Sequence, residues 1–185
     1  MIALHVTGHG FGHLTRACEV LAEVRRRAPE VPLAVVGEVP ERLVRRAVPG
    51  PILFRRSRCD VGLVQRDALR VDEAATAEAC AAFDEGWDRR ADEEAAFLAA
   101  SGVRTVLADV PALAFEAAAR AGIPAVGLGN FSWDWIYRHL GRRWPSLLAS
   151  ADRAAAAYGR AALLLELPFA GDLSVFPRRE PVGLV

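Results

Sequence analysis

The sequence contains no lysine, so its 23 basic residues are all arginine. Asp and Glu together also number 23, which leaves a formal net charge of zero at pH 7. No global basic field therefore exists to hold a nucleic acid or an anionic membrane. Arginine in place of lysine over a whole surface has no single functional cause, and the local runs Arg25 to Arg27 and Arg55, Arg56 and Arg58 read as solvated faces. The three cysteines, Cys18, Cys59 and Cys80, form no C-x-x-C pair, so neither a zinc site nor a disulfide framework is suggested and a reducing compartment fits. No apolar stretch approaches the length of a membrane span. The opening residues lack the basic flank and small-residue cleavage site of a signal peptide, so a soluble, cytoplasmic chain is expected. There is no internal repeat and no low-complexity linker.

What is present is ordinary for a folded domain: 185 residues, 52% hydrophobic and 25% charged, enough for one filled core. Short apolar runs alternate with helical patterns, the signature of βαβ units and an α/β fold with a mainly parallel sheet. Strands are expected at Ile2 to Thr7, "PLAVVGE", "ILFRRSR", "TVLADV", "IPAVGLGN" and "LLLELP". Helices are expected from His13 to Ala28, over "PERLVRRAV", from Val71 to Ala100 as one or two with Gly86 as the break, over "PALAFEAAARAG", and from Ser146 to Ala162. Asp60 to Arg70 shows no clean period and reads as a loop. The whole chain is expected as a single domain, with residues 169–185 a tail or interdomain linker.

In an open parallel sheet, ligands bind at the carboxyl ends of the strands, where strand order reverses. The unusual residues of this sequence fall at those ends. Strand one runs into "TGHGFGHLTRA", which fails the G-x-G-x-x-G fingerprint because His13 and Thr15 stand where its last glycine would be. It also lacks the Gly-Lys-Ser/Thr of a P-loop. A glycine-rich turn entering a helix remains, with free N–H groups that favour an anion or a polarised oxygen. The helix dipole adds only about 0.3–1 kcal/mol, so Arg16 is a candidate for a charge-assisted contact. His9 and His13 lie where Gly10 and Gly12 keep the backbone thin, and an imidazole near its ordinary pKa of about 6.5 can take a proton at neutral pH. Either histidine could instead cap the helix or bond a neighbouring carbonyl. Asp109 ends a buried strand, so it needs a helix N-terminus, a histidine or a ligand, and capping of the helix after Pro111 is equally open. "NFSWDWIYR" combines flat aromatic surfaces with the polar handles Asn130, Ser132 and Asp134, a mixture that suits a sugar; Trp133 and Ile136 could equally anchor the loop to the core.

"TGHGFGHLTRACEVL" resembles the first βα turn of GT-B glycosyltransferases. Together with "VGLVQRDALRVD", "LADVPALAFEAAARAGIPAV" and "NFSWDWIY", it is similar to the glycosyltransferase-like domain that precedes the sugar-kinase domain in plant arabinokinases, and to free-standing bacterial relatives. The resemblance runs from about Ile2 to Arg138. It implies a Rossmann-like three-layer α/β/α domain of about six strands, one half of a GT-B fold. It further implies that His13 deprotonates an acceptor hydroxyl and that Asp109 steadies it; His9, read from the glycine loop itself, is the third catalytic candidate. Gly10, Gly12, Arg16, Gln65, Asp67, Asn130, Ser132, Trp133 and Asp134 become the substrate-binding candidates. The donor is expected to be a nucleotide sugar, with no metal and no other cofactor. No second Rossmann-like half follows, so a donor-binding domain or subunit is the expected partner, homodimerisation is possible, and the isolated chain is expected to be inactive. The competing expectation is a non-catalytic module that binds a sugar or a nucleotide sugar; a nucleotide site built on Glu38 is a third.

Overall fold

The structure, a computed structural model, describes residues 1–67 and 69–185; Ala68 of the "VGLVQRDALRVD" stretch lies outside them. The chain forms β1 (Ile2–Val6), α1 (Phe11–Arg27), β2 (Leu33–Val36), α2 (Glu41–Ala47), β3 (Ile52–Arg55), α3 (Glu73–Glu85) and α4 (Trp87–Ala100). It continues through β4 (Thr105–Asp109), α5 (Ala112–Arg120), β5 (Ala125–Gly129), α6 (Trp133–Gly141), α7 (Leu147–Tyr158), β6 (Leu163–Glu166) and β7 (Arg179–Pro181). All strand pairs are parallel, in the order β3-β2-β1-β4-β5-β6-β7. The chain builds outward from β1 in one direction, returns through α3 and α4, and builds outward from β4 in the other. The crevice between the carboxyl ends of β1 and β4 is thus the switch point of a Rossmann-like sheet.

Strand alternation assigns the two faces. Leu4, Val6, Leu33, Val35 and Leu107 pack on α1 and α2 through Leu14, Cys18, Leu21 and Val44. The opposite residues are smaller, Ala3, Ala34 and Ala108 among them, and they admit the bulk of Trp87, Leu98, Phe115 and Tyr158 from α4, α5 and α7. A third cluster joins Cys80 of α3, Val110, Trp133 and Tyr137 of α6, and Leu147 of α7 beside the carboxyl end of β4.

Several expectations are corrected. Helix α1 begins at Phe11 rather than His13, so Gly12 and His13 belong to its first turn. The stretch from Asn130 to Trp135, expected as a loop, is irregular only up to Ser132, because α6 starts at Trp133. Gly86 does part α3 from α4. Residues 169–185, expected as tail or linker, supply β7 as a seventh strand. They also bury Leu173 and Phe176, the latter with its ring 5.9 Å from Phe115 and 4.9 Å from Tyr158. Nor are the arginine runs simply solvated. Arg25 donates to the carbonyls of Pro29, Val31, Pro49 and Pro51, and ties the turns before β2 and β3 to α1. Arg55 pairs with the buried Glu94 at 3.1 Å.

Candidate functional site at the β1–β4 switch point

Helix α1 starts abruptly. Its N-cap, Gly10, has φ 87°, a left-handed conformation that costs glycine nothing, and no side chain caps the helix. A Cβ placed on Gly10 or Gly12 would meet no atom within 4 Å, so the approach to the first turn is open. His13 and Arg16, three residues apart, share one face of the helix. Val6 and Asp109 are register partners, and the Thr7 amide donates to the Asp109 carbonyl at 2.9 Å, so strand pairing itself carries the buried carboxylate to α1.

One oxygen of Asp109 accepts from His13 Nδ1 at 2.8 Å and from Arg16 Nη2 at 2.6 Å; the other accepts from Arg16 Nε at 2.9 Å. A carboxylate offers only acceptors, so Nδ1 is the donor to Asp109, and in the neutral ring it is Nε2 that holds the lone pair. The two open readings of Asp109 thereby separate. Helix α5 begins at Ala112 with Pro111 as N-cap and no side-chain cap, and Asp109 serves His13 and Arg16 instead.

His9 lies in the loop before α1. Its amide donates to Thr7 Oγ1 at 3.2 Å, and its ring meets Trp133 edge-on at 5.6 Å. Burial and the neighbouring His13 hold its pKa below the ordinary 6.5, with the Leu63 backbone opposing them. His9 lines a polar cavity of about 230 Å³ with Gly8, Glu38, Arg58, Asp60 and Leu63. A second, mainly apolar cavity of about 360 Å³ shares Leu63 and is walled by Val71, Trp135, Ile136 and Leu140, with Glu73 and His139 also on its lining.

Asp60 is the candidate residue that sequence reasoning missed. It accepts from Trp133 Nε1 at 2.9 Å; burial pushes its carboxyl above the ordinary range, while the Thr7 hydroxyl and Trp133 pull it back. The only signal for it was a lone aspartate in a loop at a strand's carboxyl end. Trp133 is itself 2% exposed and stacks on Tyr137 at 5.8 Å, so it backs His9 rather than offering an open face. The open aromatic surface belongs to Trp135, while Phe131 turns its edge to His13 at 5.4 Å.

Ser132, the N-cap of α6, and Asp134 are buried, and among the described residues Ser132 Oγ and Asp134 Oδ1 have no hydrogen-bond partner. Burial raises the Asp134 carboxyl above its ordinary value. Asn130 closes β5 against the residues after β6: its carbonyl accepts from the Gly171 amide at 2.9 Å, and its side chain reaches the Pro168 carbonyl at 3.5 Å. Gln65 and Asp67 sit exposed in a turn closed by the Gln65–Val71 bridge. Asp67 is committed to Arg70 at 2.7 Å and to the amides of Leu69 and Arg70, both at 3.0 Å. The structure therefore gathers His9, His13, Arg16, Asp109 and Trp133, and gives Gln65 and Asp67 no contact with them.

A separate group, His5, Cys59 and Glu94, brings three ligating atoms within 4.8 Å of one another. Its carboxylate is already engaged by His5 at 3.1 Å, Arg55 at 3.1 Å and Ser57 at 3.3 Å. Among the described residues, no helix is long and apolar enough to cross a membrane.

No protein-family model matches the chain. L-arabinokinase from Arabidopsis thaliana is 38% identical over 141 residues, which cover 74% of this chain and 13% of that protein. The solved structure of CalG4, the calicheamicin glycosyltransferase, aligns over 99% of this chain and 52% of its own, with a TM-score of 0.56 and 17% identity. The chain has a Rossmann-like α/β fold similar to about half of a GT-B glycosyltransferase. A UDP-glucosyltransferase from Polygonum tinctorium gives a TM-score of 0.55 at 16% identity, over 98% of this chain and 51% of that one. The chain thus spans about half the length of these GT-B structures and a much smaller part of L-arabinokinase. The GT-B match extends over nearly all of the chain, and so includes β7 and the segment leading to it.

Proposed function

We propose that the chain is the acceptor-binding half of an inverting glycosyltransferase, completed by a donor-binding domain or subunit that holds a nucleotide sugar. One observation carries the reading: His13 Nδ1 is pinned to Asp109 at 2.8 Å, which leaves Nε2 as a proton acceptor at an open helix start. In the reaction, Nε2 takes the proton of an acceptor hydroxyl while the acceptor oxygen forms a bond to the anomeric carbon. The bond from that carbon to the phosphate oxygen breaks, and the nucleoside diphosphate leaves with the electron pair. The polar cavity beside His9 suits the hydroxyl-bearing part of an acceptor, and the adjoining apolar cavity suits a hydrophobic group attached to it.

The test is made in a protein carrying both halves. His13→Ala is expected to lower kcat/KM by about 10²–10⁴-fold, the usual contribution of a positioned base. Full rate in that variant overturns the assignment.

A second reading, a non-catalytic sugar-binding module, is favoured by the similarity to a protein named for phosphorylation of L-arabinose. Titration calorimetry of the chain with L-arabinose, other free sugars and sugar nucleotides separates the two. Sugar binding, with no turnover when a donor half is supplied, supports the module.

A further inference from the structure

We propose that Arg16 is a positioning residue whose charge, delivered through Asp109, keeps His13 neutral and ready to accept a proton. The role rests on the reading of His13 as base, but the electrostatic device can be tested without turnover. A buried aspartate hydrogen-bonded to a histidine ordinarily favours the imidazolium, because the carboxylate stabilises the positive ring. Here the carboxylate is not free to do so. Arg16 engages both of its oxygens in a fork, and Arg16 Nη2 lies only 3.2 Å from His13 Nδ1. With Asp109 entirely buried, this shared charge is not diluted by solvent around the carboxylate.

Among the described residues, His13 also has a helix start, one histidine, one aspartate and one aromatic ring near it. On its own element, the first turn of α1 presents the positive end of the helix, which also disfavours the imidazolium. From the loop before α1 comes His9, and from the loop after β3 comes Asp60; each is electrostatically coupled to His13. From the β5–α6 connection comes the uncharged edge of Phe131. Asp60 opposes the effect but is already engaged by Trp133. Arg16 is thus the one full positive charge in direct contact with the His13–Asp109 pair among the described residues. A planar guanidinium suits the position because its fork matches two carboxylate oxygens at once, and an ammonium would supply charge without that geometry.

The experiment is a pH titration of the chain's four histidines by ring-nitrogen NMR. Arg16→Gln is expected to raise the His13 pKa by about one unit or more, a tenfold gain in proton affinity, while Arg16→Lys leaves it within about 0.3 unit of the wild type. A merely structural Arg16 would give equal shifts in the two variants, or none, and either result overturns the proposal. Unchanged His5 and His139 signals report that the fold is retained. Should Arg16→Gln not fold, the double variant Arg16→Gln/Asp109→Asn, which leaves no buried charge unpaired, is compared with the wild type. His13 pKa values equal within about 0.3 unit support the proposal, because Arg16 then cancels the carboxylate, and a value lower by about one unit in the double variant overturns it, because Asp109 was then free to favour the imidazolium. Failure of the base assignment looks different: the NMR shift persists while His13→Ala keeps its rate.

Discussion

A carboxylate with almost no exposed surface is tolerated only where donors and cations surround it, and Glu94 and Asp109 meet that need with different neighbours. Asp109 is held by an arginine and a histidine whose second nitrogen stays free. Glu94 accepts from His5, Arg55 and Ser57, three neighbours within the chain. Burial pushes the Glu94 carboxyl up, but its contacts with His5 and Arg55 outweigh that and hold it below the ordinary 4.5. A folded-state value below the unfolded one contributes stability that is present above pH 4.5 and lost as the pH falls through the folded value. His9, also depressed, acts on the same side: the unfolded chain binds its proton first as the pH falls below 6.5. Asp60 and Asp134, raised by burial, act the other way, whereas the depressed Glu23, Asp67, Asp72, Asp88 and Asp172 act with Glu94, so thermal melts between about pH 3 and 8 should show stability declining toward acid. In Glu94→Gln, stability at neutral pH should fall by about 3–5 kcal/mol, because His5 and Arg55 lose their buried partner, and the acid decline should flatten. A variant whose melting curve keeps the wild-type slope would remove Glu94 from this account.

At the scale of elements, the segment after β6 is more than a connector. Phe176 fills space between Phe115 and Tyr158, and Tyr158 in turn donates its hydroxyl to the Val110 carbonyl at 2.8 Å, next to Asp109. Phe176→Ala is expected to cost about 3–5 kcal/mol in denaturant melts. A loss below about 1 kcal/mol would mean that this segment can detach without harm to the core. The βαβ units were legible because buried parallel strands such as "TVLADV" are short apolar runs and the helices between them repeat at helical spacing. Strand β7 was not, since its three residues are exposed and carry no apolar pattern. Helix α6 was hidden by aromatic residues that lose side-chain freedom in a helix, and it is stabilised instead by Trp133, Tyr137 and the cluster around them. His13 and Asp109 were legible as a pair of unusual residues at neighbouring strand ends. Asp60 was not, because its partner Trp133 lies 73 residues away and only the folded chain joins them.

For the molecule as a whole, a parallel sheet with one reversal gathers its functional groups on one rim and leaves two open edges elsewhere. Those edges are β3, of four residues, and β7, of three. On β7, the Arg178 carbonyl and the Val182 amide bond to β6, which turns the backbone amide positions of Arg179 and Pro181 outward. Pro181 has no N–H, so this edge offers one outward donor where an ordinary strand would offer two. Pro181→Thr restores the missing donor beside an otherwise unchanged strand, and light scattering at rising concentration should then report more association than the wild type gives. Equal scattering from the two proteins would count against a protective role for the proline. An imino acid in β7 thus blunts one of the two edges at which a further strand could add, and leaves β3 as the edge with its full set of donors.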